Sequence, residues 1–176
     1  WYDTHRLPVA YPFGHGLSYT TFAYSDLRTT VLDGEQPRVQ VSVTVTNTGD
    51  RPGTETVQVY VADPAASVHR PEQELRAFAR ITLEPGESGT IDLDLDRRAF
   101  AYWHTVNRGW TVEGGAFEIR VGASSRDIRA RAQIDVAGDD LSVALQVDST
   151  VQAWLDHPQA GPWLREVLGD NEFVTL

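Results

Sequence analysis

The chain has 176 residues, 41% of them hydrophobic, which is ample for one packed globular core and falls within the length of a single domain with appendages. Its 15 positive charges are all arginine and stand against 25 carboxylates, and the formal net charge of -10 repels polyanions, so nucleic acid and anionic membrane surfaces are excluded as expected partners. Cysteine is absent, which removes disulfide frameworks and thiolate metal sites, and no apolar run approaches the roughly 18 residues of a membrane span.

In chain order, Trp1, Tyr2 and Asp3 lead into Tyr11-Pro-Phe-Gly-His-Gly-Leu-Ser-Tyr-Thr20, where two glycines, a proline and three aromatics specify a folded junction. The junction lies ten residues from Trp1 in a chain without methionine, so the sequence reads as the tail of a larger protein. A strand is expected near Phe22 to Leu32. From Val39 to Val45 strict alternation places four valines on one face and polar residues on the other, the mark of a half-buried strand. Asn47-Thr-Gly-Asp50 supplies turn chemistry before Thr56 to Val61 resumes the pattern.

Further strands are expected at Phe78 to Leu83, Gly89 to Leu95, Ala116 to Val121 and Ile128 to Val136, with turns at Glu84-Pro-Gly-Glu87 and Glu113-Gly-Gly115. Between them, Asp96 is placed to cap a short helical turn that presents Phe100 and Trp103 to the core, and Trp110 reads as a core residue. The fold class is therefore all-β, an immunoglobulin-like or fibronectin type III-like β-sandwich of about seven strands. Beyond Asp135 the pattern turns helical. Asp148 or Ser149 caps a helix through Val151, Trp154 and Leu155 that stops near Pro158. A second helix, Pro162 to Leu168, carries Trp163, Leu164, Val167 and Leu168 on one face and ends at Gly169.

Candidate chemistry is sparse. Asp92-Leu-Asp-Leu-Asp96 opens like a calcium loop, but Arg97 stands where glycine is needed and Trp103 where the bidentate glutamate belongs. Gly14-His-Gly16 lacks the third glycine and the βαβ unit of a dinucleotide site, and His15 reads as fixing its turn through a backbone hydrogen bond. His5, His15, His69, His104 and His157 show no zinc spacing, and Gly122-Ala-Ser-Ser-Arg126 reads as a hairpin loop rather than a nucleophile elbow. No cofactor and no metal site is expected. The aromatics Trp1, Tyr2, Tyr102, Trp103 and Trp110 remain as candidates for stacking on sugar rings.

YPFGHGLSYTTF, VTNTG, VQVYVADP, HRPEQELRAF, ITLEPGES and GAFEIRVGASSRDI, in that order over residues 1–128, resemble the C-terminal region of glycoside hydrolase family three, the β-glucosidase family. The extension with DSTVQAWLDHP is similar to tails of bacterial members. The resemblance implies residues 1–16 as the end of a preceding α/β domain and an interdomain linker, 17–136 as the sandwich, and 137–176 as a helical extension.

It also implies a parent enzyme that hydrolyses β-glycosidic bonds with retention, using an aspartate nucleophile and a glutamate acid/base carried by upstream domains. Neither of those motifs occurs here, so a non-catalytic accessory domain is expected, with the parent's catalytic domains and its glycoside substrate as partners. Trp1, Tyr2, Asp3, His15, His69 and Arg70 are the residues expected at the substrate rim or interdomain contact, the last two on the loop Asp63 to Pro71. The alternatives are a carbohydrate-binding module and a homo-oligomerisation element built on the helical tail. The interface reading further implies that the apolar side chains of Tyr11 to Thr20 stand exposed in the isolated chain.

Overall fold

The computed structural model of the chain describes residues 2–3, 5, 7–32, 36–105, 108–140 and 145–168. Two compact units divide the chain, one made of Trp1–Tyr102 with Trp110–Asp139 and the other of Trp103–Gly109 with Asp140–Leu176.

Nine strands occur among the described residues: β1 (Phe22–Leu32), β2 (Arg38–Asn47), β3 (Gly53–Ala62), β4 (Glu74–Leu83), β5 (Ser88–Leu95), β6 (Tyr102–His104), β7 (Gly109–Thr111), β8 (Gly115–Ser124) and β9 (Asp127–Val136). Seven of them form two antiparallel sheets, ordered β1-β2-β5 and β4-β3-β8-β9, while β6 and β7 make a two-stranded ribbon. Consecutive strands β2 and β3 lie in different sheets, as do β4 and β5, which is the crossing pattern of an immunoglobulin-like sandwich. The seven expected strands are present, and the short ribbon adds two that a three-residue apolar pattern does not announce.

Alternation supplies the core. Val39, Val41, Val43 and Val45 of β2 are fully buried, and Val57, Val59, Val61, Phe117, Ile119 and Val121 belong to the same buried cluster. Phe100 and Phe117 meet edge to face with ring centroids 5.3 Å apart, a geometry that adds about 0.5–1.5 kcal/mol beyond area burial.

The expected turn after β5 is a single 3-10 turn, Arg97–Ala99, and its cap differs from expectation: the Asp96 carboxylate makes no cap hydrogen bond, and the Ala99 N–H closes the turn on the Asp96 carbonyl at 2.9 Å. Phe100 is buried as expected, but Trp103 is half exposed because it falls on β6 rather than on the turn. Trp110 is likewise no core residue. It lies 43% exposed on β7, with the Arg98 guanidinium over its ring.

In the second unit, α1 (Val151–Asp156) is capped by Thr150, whose hydroxyl accepts from the Ala153 N–H at 3.2 Å, and not by Asp148 or Ser149. The Ser149 hydroxyl accepts from the Gln146 N–H instead. α2 (Ala160–Leu168) begins two residues before Pro162, and the His157 ring nitrogen Nδ1 accepts from the Gln159 and Ala160 N–H groups ahead of it. Gly169 lies outside the described residues. No helix among the described residues is long and apolar enough to cross a membrane.

One buried polar side chain joins four segments. Asn47, the last residue of β2, is completely buried; its Nδ2 donates to the carbonyls of Arg51 (2.8 Å) and Leu83 (3.0 Å), while its Oδ1 accepts from the Thr20 hydroxyl (2.7 Å) and the Gly49 N–H (3.1 Å). Both donors and both acceptor positions of the amide are filled. A Cβ on Gly49 would lie 2.0 Å from the Thr20 hydroxyl oxygen, so the turn that closes around Asn47 needs glycine there. Asn47→Ala strands several buried groups at once and is expected to cost about 2–4 kcal/mol. Urea unfolding checks this: the midpoint should fall with the slope unchanged.

Candidate functional site

In β3 the valines at 57, 59 and 61 point into the core, so Gln58 and Tyr60 face the other side of the sheet. Both are nevertheless buried, because the run that precedes β1 crosses over them. The Gln58 Nε2 donates to the carbonyls of Gly14 (3.0 Å) and Ala123 (2.6 Å), and its Oε1 accepts from the Tyr60 hydroxyl at 2.6 Å. Burial, followed by the nearby Asp3 charge, pushes the Tyr60 phenol up to about 12, so it stays a donor. Gly14 has φ of 77°, and a Cβ there would lie 1.9 Å from the Gln58 amide oxygen; conformation and space both call for glycine.

Other bonds extend this attachment. The Ser125 N–H donates to the Phe13 carbonyl (2.9 Å), the Arg126 guanidinium reaches the Asp3 carboxylate (2.8 Å) and the Leu7 carbonyl (2.7 Å), and the Thr48 N–H donates to the Thr21 carbonyl (2.8 Å). The main chain is fastened while the side chains point away. Tyr11 is 74% exposed, Phe13 63%, Leu17 92% and Tyr19 93%, the exposure expected of an interface run. His15 is exposed as well, its ring 5.1 Å from that of Tyr11, and its main-chain N–H, donating to the Pro12 carbonyl, closes the turn. Tyr2 is exposed; Trp1 lies outside the described residues.

The loop between β3 and β4 presents its two expected residues differently. The Arg70 side chain is only 7% exposed and binds the Asp63 carboxylate (3.1 Å), the Phe100 carbonyl (3.1 Å) and Glu74 (3.2 Å), with the Tyr102 ring 5.9 Å away. Burial raises the Asp63 carboxyl above its ordinary value, with Arg70 opposing. Arg70 is thus a clamp for the loop, and its neighbour His69 is the exposed group. Two residues past the loop, the Gln73 amide donates to the Ser125 carbonyl (2.7 Å) and accepts from Arg120 (2.9 Å). Ser125 therefore joins the attached run, through its N–H, to Gln73 just before β4, through its carbonyl. The hairpin loop expected at Gly122 to Arg126 is present but shorter, because β8 runs on through Ser124 and leaves only Ser125 and Arg126 before β9.

Beside the attached run lies an open groove of about 650 Å³, walled by Phe13, Leu17 and Phe78 and lined at its charged end by Glu55, Asp127 and Arg129. Arg129 pairs with Asp127 (2.8 Å), donates to the Phe22 carbonyl (2.8 Å) and lies 4.9 Å from the Tyr24 ring centroid; the Tyr24 hydroxyl donates to Glu55 at 3.1 Å. Burial pushes the Glu55 carboxyl above its ordinary value of 4.5, with the Tyr24 hydrogen bond and Arg129 opposing. No cluster of three or more metal-ligating side chains occurs among the described residues. Glu55, Asp127 and Arg129 find partners within the domain, and the large apolar side chains exposed along the groove are Phe13, Leu17 and Phe78, with His15 beside them.

Residues 55–125 match the family described as the fibronectin type III-like domain. The thermostable beta-glucosidase B of Acetivibrio thermocellus is 42% identical over 173 residues, 95% of this chain and 23% of its own length. An exo-alpha-(1->6)-L-arabinopyranosidase of Bifidobacterium longum is 44% identical over 90% of this chain and 21% of its own length. Among solved structures, a GH3 beta-glucosidase of Bifidobacterium adolescentis aligns with a TM-score of 0.82 at 45% identity, covering 93% of this chain and 24% of that one. Beta-glucosidase 3B of Thermotoga neapolitana aligns with a TM-score of 0.71 at 44% identity, covering 77% and 18%. The chain spans less than a quarter of the length of these relatives.

Two outcomes follow from the geometry. Gln58→Ala removes the amide that holds the Gly14 carbonyl and leaves the buried Tyr60 hydroxyl without its acceptor. It is expected to cost about 1–3 kcal/mol and to make the main chain around His15 to Tyr19 cleavable in limited proteolysis while the sandwich stays intact. Glu55 titrates the other way from a paired surface carboxylate: a raised folded value means its favourable contribution is complete below 4.5 and is lost as pH rises through the folded value. Glu55→Gln keeps an acceptor for Tyr24 without the titration. Between about pH 4 and about pH 7 it should lose less stability than the unaltered chain, read from urea midpoints at each pH.

Proposed function

Since this chain carries a fibronectin type III-like domain of the kind found in glycoside hydrolase family 3 β-glucosidases, we propose that it is the non-catalytic C-terminal accessory module of such an enzyme, docked on the catalytic domains of the same parent and stabilising their arrangement. In this reading residues 1–16 lead out of the preceding domain, 17–136 are the docked sandwich and 137–176 a helical extension. The observation that carries it is the run Tyr11 to Tyr19, which is fastened to the sandwich at the carbonyls of Phe13 and Gly14 while its aromatic and aliphatic side chains stand in solvent. A monomeric surface rarely keeps such a patch without something to cover it.

The chemistry of the parent, hydrolysis of a β-glycoside with retention, needs two carboxyl groups about 5–5.5 Å apart, one ionised and one protonated. The carboxylates of Asp63, Asp127 and Asp139 are each paired with an arginine, which suits structure better than proton transfer. Tyr2, Asp3 and His15 belong to the docking side. In this reading His69 contributes to the rim of the parent's substrate site; its exposure beside the Arg70 clamp supports this. A sugar-stacking role for Trp110 is less well supported, because Arg98 covers its ring.

The purified chain is expected to release no nitrophenol from an aryl β-glucoside, whereas the parent containing it turns the substrate over; turnover by the chain alone would refute the reading. In the parent, His69→Ala should raise KM for an oligosaccharide more than for the aryl glucoside, with melting temperature unchanged. Steady-state kinetics on both substrates checks this.

A further inference from the structure

We infer that the groove between the attached run and the outer face of β4 and β3 is the seat for apolar side chains of the parent's catalytic body, with Phe78 as its anchor. This rests on the accessory-module reading and adds to it the surface and the chemistry of the partner.

Along β4 the alternation sends Ala77, Ala79 and Ile81 to the core and Phe78 outward. β4 is the edge strand of its sheet, and Phe78 stands directly across from Gln58, the residue that fastens the preceding run. Phe78 is 63% exposed, and Phe13 and Leu17 line the same groove. Three large apolar side chains from two distant segments therefore border one opening, and the Gln58 bond to Gly14 anchors one segment to the strand that pairs with Phe78. An edge strand that leaves a phenylalanine in solvent invites association unless it is covered.

The polar groups of the groove select the partner. Thr54 bonds Thr82 across the strands (2.8 Å), Gln58 is held by Gly14, Ala123 and Tyr60, Arg129 is paired with Asp127, and Glu55 accepts from Tyr24. A sugar requires convergent donors and acceptors that are ready to bond; these four are engaged within the domain, and beside the exposed His15 and Ser18 the groove offers the large apolar side chains of Phe13, Leu17 and Phe78. The occupant is the body of the same polypeptide, because relatives that contain this stretch devote more than three quarters of their length to other residues. The groove is also continuous with the run that leads toward that body.

The test titrates the 176-residue chain with the separately expressed remainder of the parent polypeptide. Phe78→Asp and Leu17→Asp are expected to weaken binding about tenfold or more, while Thr30→Asp, on the exposed face of the other sheet, binds like the unaltered chain. Circular dichroism verifies folding; if Phe78→Asp does not fold, Leu17→Asp, at a 92% exposed position, carries the test. Binding unaffected by either groove substitution overturns the inference and leaves the accessory reading standing. A folded chain that does not bind the body at all overturns both. A parallel calorimetric titration with cellotetraose should show no heat; binding of it that is lost in Phe78→Asp would make the groove a sugar platform and also overturn the inference.

Discussion

A glutamine on the outward face of a central strand determines what this surface can do. Gln58 is positioned by β3 beside the core valines on either side of it, and its amide holds the Gly14 carbonyl while the Ser125 N–H holds that of Phe13. Without it, the run before β1 would be a loop whose aromatics collapse onto whatever apolar surface is nearest. With it, the Gly14 carbonyl is satisfied, and Phe13 and Leu17 on either side stand in solvent. Binding from such a surface avoids part of the entropy of ordering a flexible segment, which is the usual reason that large exposed areas bind weakly.

The fold divides its labour accordingly. The core rests on many buried side chains, the valines of β2 and β3 among them, whereas Asn47, Gln58 and Arg70 each hold an irregular segment through a single buried polar side chain. Asn47 holds the turn after β2 and the approach to β1; Gln58 holds the run at Gly14; Arg70 holds the loop between β3 and β4. In each case the side chain satisfies main-chain carbonyls that would otherwise be buried without partners. Damage to these positions displaces a segment rather than loosening the core.

The strands were legible because their signal is local: Val39 to Val45 alternates, and alternation alone decides which face is buried. Trp103 and Trp110 misled for the converse reason. Aromatic content favours burial on average, but three-residue strands in a ribbon have no second sheet to cover them, and Arg98 takes over one ring. The exposure of Tyr11 to Tyr19 was readable from a junction of glycine and aromatics that lacked a partner in the chain. Gln58, Ser125 and Arg126 were not readable, since period two marks Gln58 as a solvent residue and only the tertiary path of residues 13 and 14 buries it. Arg70 was singled out correctly as special, but a loop arginine carries no local sign of whether it faces a partner or holds its own loop.

The absence of lysine acquires a structural sense at this point. Arg70, Arg126 and Arg129 each bond a carboxylate and a main-chain carbonyl at once, and Arg97 does the same with Asp139 and the Trp110 carbonyl. A planar guanidinium can reach two acceptors in fixed directions; an ammonium on a flexible stem holds them less definitely. The arginines therefore act as cross-links between irregular segments and the sheets, and much of the positive charge is neutralised where it stands. What remains outside these pairs is a net excess of carboxylates, together with large apolar side chains exposed at Tyr11, Phe13, Leu17, Tyr19 and Phe78. On a molecule of net charge -10, like charges oppose chance self-association, while the exposed apolar side chains keep a surface that the proposed docking can use.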